Sequence, residues 1–203
     1  MARKGAKMSD SFEMLVDVEV SVKEAKTLSK TVIAELRERG LITGKPNAKC
    51  VLGDKGYPVG PKVSEIYQPT KGEGKFWELT TSGVEVAVGR DMNEWALGPS
   101  CEGFKCPSCD TFQPPFDDDF DDAVAVALGE WMNETGAALL ACPDCQESQS
   151  ITEWHCKPPF GFGNLSFRFW NWPPFDYPGW KLDIRALVEE ITGHEIVHTY
   201  GHI

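Results

Sequence analysis

Phe12, Met14, Val16, Val18, Val20 and Val22 alternate with mostly polar neighbours, which predicts a half-buried β-strand. The period then changes. Ser21 and Glu24 stand at capping-box spacing, and Ala25, Leu28, Val32 and Leu36 recur on one helical face. Arg37 and Arg39 fall in the last turn, with Gly40 placed to close it. The chain therefore opens β–α, with the strand over 12–22 and the helix over 23–39.

Residues 41–70 are rich in glycine and proline, with room for short strands near Val51 and over Val63–Tyr67. Two apolar runs, Phe76–Thr80 and Val84–Val88, flank Thr81-Ser82-Gly83 and predict a hairpin. Val124, Leu128, Trp131 and Met132 mark a later helix ended by Gly136. Leu165, Phe167 and Phe169 alternate with Ser166, Arg168 and Trp170, a strand with one face in a core and with Trp170 and Trp172 sharing the other. Ile184, Leu187, Val188 and Ile191 form a second amphipathic helix before Gly193, and the β-branched end predicts a last strand. The order β–α–β–β–insert–α–β implies an α+β fold. Its sheet is mixed or antiparallel with two main helices, and a ferredoxin-like layer carrying an inserted subdomain is the candidate. The aromatic strand at 165–171 is extra to that plan. Boundaries fall at a flexible leader (1–10), the first part of the α+β domain (11–98), a cysteine-bearing subdomain with its own helix (99–160) and the completing strands and helix (161–203).

Composition narrows the function classes. The net charge is −11 over 203 residues, and beyond the basic leader and Arg37/Arg39 there is no basic footprint, which disfavours direct nucleic-acid binding. No apolar run is long enough to span a membrane. Seven cysteines, an odd number with four in metal spacing, point to the reducing cytoplasm rather than a disulfide scaffold.

Those four are Cys106-Pro-Ser-Cys109 and Cys142-Pro-Asp-Cys145. Each turn aims two thiolates at one ion, and two turns supply the four sulfurs that tetrahedral Zn²⁺ takes. The pattern resembles zinc-ribbon and rubredoxin-type knuckles, over the two turns alone. Such knuckles often carry glycine after the second cysteine, where the backbone turns left-handed; Asp110 and Gln146 stand there. Structural Zn²⁺ is the expectation, with an iron site on the same ligands and redox-active Cys-x-x-Cys pairs as alternatives.

His194-Glu195-Ile196-Val197-His198 matches the His-Glu-x-x-His pattern of zinc metallopeptidases, in which the histidines bind zinc and the glutamate activates water. That chemistry needs a helix. Here Gly193 has already ended one, and a strand is expected, with His194, His198 and His202 along one face. A second metal site on these histidines, with Glu195 catalytic, is the hydrolase alternative. Cys50, Cys101 and Cys156 read as small buried apolar residues, and His155 beside Cys156 as a poor nucleophile pair. The acidic run at Asp117, Asp118, Asp119, Asp121 and Asp122 suits a helix N-terminus. Its functional reading is an acidic patch for a basic protein partner, with Trp170 and Trp172 as exposed anchors. In general character the chain is similar to small acidic bacterial immunity proteins. That similarity implies a cytosolic, zinc-stabilised binding or inhibitory module, with a zinc or redox sensor as a further alternative. The oligomeric state is not legible in the sequence.

Overall fold

The computed structural model describes residues 10–98, 101–115 and 118–203. The leader up to residue 9, Asp117 and the side chain of Asp118 lie outside the described residues.

Strand β1 (Ser11–Asp17) feeds helix α1 (Val22–Glu38). The Ser21 hydroxyl accepts the Glu24 N–H at 3.3 Å and donates to the Glu24 carboxylate at 2.6 Å, which fixes where the helix starts. A short strand β2 (Gly56–Pro58) and a one-turn helix α2 (Val63–Ile66) follow. Strand β3 (Gly83–Asp91) leads into the cysteine-bearing excursion. That excursion holds β4 (Gly103–Lys105), β5 (Phe112–Gln113), α3 (Asp118–Asn133), β6 (Leu139–Ala141), β7 (Ser148–Ser150) and β8 (His155–Lys157). The chain returns as β9 (Gly163–Trp170), α4 (Ile184–Thr192) and β10 (Ile196–His202).

The main sheet is antiparallel in the order β10-β1-β9-β3-β2. Its first four strands interleave two β–α–β units, the ferredoxin-like arrangement, with β2 added at the edge. Three sequence expectations change. Residues 76–78 form a 3₁₀ turn rather than a strand, because Phe76 must leave the sheet to pack on Tyr67 and Trp172. The aromatic strand is not extra: β9 is the third strand of the plan, at the centre of the sheet. Likewise Val63–Ile66 is helical, not extended.

Alternation sorts the sheet's two faces. Leu15, Val84, Leu165, Phe167, Phe169 and Ile196 meet α1 and α4 in the main core. Phe12, Met14, Val16 and Trp170 form a smaller cluster on the other face with Cys50 and Val51. Trp170 and Trp172 do not share a face, and neither is exposed, at 2% and 1%. Asn171 adopts φ +56, in the left-handed region, and so breaks the alternation between them. Its side chain pins the corner by bonding Asp10 and Thr81. Trp170 then stacks edge-on to Phe12, while Trp172 enters the main core against Phe169, Phe76 and Trp180.

The excursion leaves the sheet at Asp91 and re-enters opposite it at Gly163. It has a core of its own, with Phe104, Phe120, Val124, Leu128, Leu140, Ile151, Trp154 and Phe160 around Cys106 and Cys142. The end of α3 is set by Glu134 at φ +56, two residues before Gly136. Pro-Pro-Phe recurs at 114–116, 158–160 and 173–175, and the last two deliver aromatics inward: Phe160 is buried, and Phe175 packs on Phe169 and Trp180. Among the described residues no helix is long and apolar enough to cross a membrane.

Candidate metal centre

Both cysteine turns fold the same way. The Cys106 N–H donates to Thr111 O at 2.9 Å and the Asp110 N–H to Cys106 O at 3.1 Å. The second turn repeats this, from Cys142 to Glu147 O and from Gln146 to Cys142 O, both at 2.9 Å. Asp110 and Gln146 take φ +60 and +64, the left-handed turn that glycine makes without strain. The knuckle geometry is thus reached without the glycines, and Lys105 braces the first turn by pairing with Asp110 at 2.6 Å.

The four Sγ atoms lie within 4.8 Å of one another. Cys106 to Cys145 is 3.9 Å and Cys109 to Cys142 is 3.7 Å. A tetrahedral ion with Zn–S bonds of about 2.3 Å holds its sulfurs about 3.8 Å apart, so the cluster fits Zn²⁺. Cys106 and Cys142 are fully buried, whereas Cys109 is exposed and Cys145 half-buried, so one side of the cluster faces solvent. The Ser108 N–H reaches Cys106 Sγ at 3.4 Å, and the Thr111 hydroxyl lies 2.6 Å from Cys109 Sγ. That hydroxyl, with the Thr111 backbone, pulls the Cys109 thiol down to about 6. Four protein ligands leave no open position for substrate, which is the signature of a structural rather than a catalytic zinc. Zinc bound here would tie the two halves of the excursion together.

The His-Glu-x-x-His segment is not helical: His194 lies in the bend before β10, and only Ile196–His198 belong to that strand, which pairs with β1. Each imidazole has another partner. His194 Nδ1 lies 2.9 Å from Asp17, and His198 Nε2 lies 2.6 Å from Glu13. Asp17 is wholly buried and also accepts the Glu19 and Val20 N–H groups at 3.2 and 2.9 Å. The Asp17 hydrogen bond raises the His194 pKa above its ordinary 6.5, against the opposing effect of burial. His198 stacks on Phe175, and His202 is exposed at the strand's end. The second metal site is therefore not formed: the cysteine cluster is the sole group of metal-holding geometry among the described residues. Asp119 is exposed in the first turn of α3, where an acid complements the helix dipole.

Sequence reasoning missed the buried carboxylates. Glu13 and Asp17 stand four apart on β1, matching the spacing of His198 on β10 and His194 in the bend before it, and that shared spacing was a readable signal for pairing the first and last strands. It also missed the neck of the excursion. Arg90, at the end of β3, lies 5.2 Å over the Trp131 ring, donates to the Trp131 carbonyl and pairs with Glu134 at 3.3 Å. Beside this neck runs a groove of about 690 Å³ between sheet and excursion, walled by Trp131, Trp154, Phe160 and Phe162, with Glu195 at its edge. His155 and Cys156 also line it, but adjacent strand residues point to opposite faces, and burial pushes the Cys156 thiol up to about 12. The groove thus carries no activated nucleophile. No protein-family model, curated protein or solved structure matches this chain.

Proposed function

We propose that this chain is a non-catalytic, zinc-stabilised protein-binding module of the inhibitory, immunity-like kind, acting in the cytoplasm by covering a basic partner. The observation that carries the reading is the aromatic groove at the seam. It is a wide concavity of about 690 Å³, among the described residues it pairs no nucleophile with a base, and one of its walls belongs to the excursion that a bound metal would tie together. Concave aromatic sites supply anchoring area, and a chain of charge −11 steers a basic partner toward it. With Trp170 and Trp172 in the core, the anchoring role passes to Trp131 and Phe162, which pack edge-on at 4.9 Å. Asp119 remains an exposed acid available to such a partner.

The test takes a partner captured on the immobilised chain and identified, then measures its affinity directly. Binding should weaken with salt, fall at least tenfold for Trp131→Ala, and fall again when zinc is stripped. Unchanged affinity in the groove variant, with its fold intact, would end the reading. A second reading, a zinc or redox sensor, is favoured by the exposure of Cys109 on the outer side of the cluster. It predicts zinc release at micromolar peroxide with loss of partner binding, and fails if the metal stays bound.

A further inference from the structure

On the face of the sheet away from α1 and α4 lies a cavity of about 150 Å³, lined by Glu85, Ala87, Asp91, Glu94, Ser166 and Arg168. It is distinct from the seam groove and independent of the function proposed above. Strand register builds it: Glu85 is opposite Arg168 and Ala87 opposite Ser166 across β3 and β9. An irregularity between Val88 and Asp91 then brings Asp91 to the same face.

Arg168 is the informative residue. Its side chain is only 14% exposed, yet among the described residues its guanidinium has one ion pair, a long one to the Asp91 carboxylate at 4.0 Å. Its hydrogen-bond contact among those residues is to Met14 Sδ at 3.9 Å. The guanidinium is held by stacking, 4.9 Å from the Phe12 ring and 5.9 Å from that of Trp170. Its neighbours are committed elsewhere. Glu85 accepts the Trp170 indole N–H at 2.9 Å and the Asp54 N–H at 3.0 Å. Asp91 accepts the Ser166 hydroxyl and the Met92 N–H. Glu94 stands exposed at the mouth. A planar fork with most of its donors unspent, fixed in the wall of a cavity, is suited to an oxygen acceptor.

Three carboxylates against one guanidinium decide what carries that oxygen. A free anion such as phosphate meets net negative charge and is repelled. A bare cation leaves the Arg168 donors unanswered. The carboxylates do not approach one another as metal ligands do. A group that brings a primary ammonium and, on the next carbon, an oxygen acceptor satisfies both sides, and a cavity of this size admits a head group of about five non-hydrogen atoms. We propose that this cavity binds the α-ammonium and adjoining carbonyl or carboxylate of an amino acid or peptide amino terminus. Arg168 takes the oxygen, while Glu94 takes the ammonium.

Isothermal titration of the full chain with triglycine, glycine and N-acetyl-triglycine tests this. Triglycine or glycine should bind, and acetylation should abolish binding. Glu94→Gln, at the exposed mouth, should weaken binding about tenfold, as should Arg168→Lys, since a charge-assisted hydrogen bond is lost in each. Tighter binding of triglycine identifies a peptide terminus as the source, and tighter binding of glycine a free amino acid. Melting curves verify that each variant is folded, and Glu94→Gln suffices alone if Arg168→Lys is not. The proposal is overturned if neither free amine binds at millimolar concentration, if the acetylated peptide binds equally, or if Glu94→Gln changes nothing.

Discussion

Asp17→Asn separates the strand-edge account of the C-terminal histidines from the metallopeptidase account. The Asp17 carboxylate is fully buried and accepts from Glu19 N–H, Val20 N–H and His194 Nδ1, all within 3.2 Å. Asparagine keeps one acceptor oxygen but turns an NH₂ toward one of these donors and removes the charge. Hydrogen bonds to a charged group contribute about 1.5–3 kcal/mol each, so losing one and weakening the others costs about 2–3 kcal/mol. For a chain of this size that lowers Tm by about 4–12 °C. The penalty depends on pH. His194 has a folded pKa raised by Asp17, so the pair's contribution is fully present below the ordinary value of 6.5 and is lost as pH rises through the raised folded value. Thermal melts of wild type, Asp17→Asn, His194→Gln and the double variant, taken from pH 6 to pH 9 in zinc-replete buffer, close a double-mutant cycle at each pH. The coupling should be clear at the acid end and shrink toward the alkaline end, with zinc content unchanged. A coupling near zero throughout, or loss of a metal equivalent in His194→Gln, would refute the reasoning.

Gln146→Gly places glycine at φ +64 and should raise stability by about 0.5 kcal/mol in the zinc-bound protein, read by urea melts, because the strain relieved exceeds the lost Gln146 to Pro143 contact and the added chain entropy. Trp170→Phe should cost about 2 kcal/mol more than Trp172→Phe in the same assay. The Trp170 Nε1–H donates to Glu85 at 2.9 Å, whereas the Trp172 Nε1 is buried without a partner among the described residues. Gly163→Ala should destabilise by about 2–4 kcal/mol, since a Cβ there would stand 2.3 Å from the Asp17 carbonyl oxygen at the neck of the excursion.

What the sequence made legible followed from local rules. The capping box, the two amphipathic helices and the twin cysteine turns each depend on residues a few positions apart, and Ser21, Gly193 and the four cysteines act as their spacing implies. The sheet order does not follow from local rules. β9 enters between β1 and β3 and is largely buried on both faces, which the alternation of Ser166 and Arg168 with aromatics disguised. The Trp pair was misassigned to one exposed face because one left-handed residue, Asn171, reverses the side on which the next ring lies. Asparagine adopts that conformation more readily than most residues but gives no sign that it will. Glu13 and Asp17 passed as solvent-facing polar positions because burial by α4 and its following turn is a tertiary fact, visible only once His194 and His198 are brought opposite.

Metal content per chain, measured by mass spectrometry on protein purified without a histidine tag or added metal, tests the central claim most directly. The account predicts one tightly held zinc, absent in Cys142→Ser and unchanged in His194→Ala and His198→Ala. No metal at all, iron in place of zinc, or a second equivalent that disappears with either histidine would contradict it.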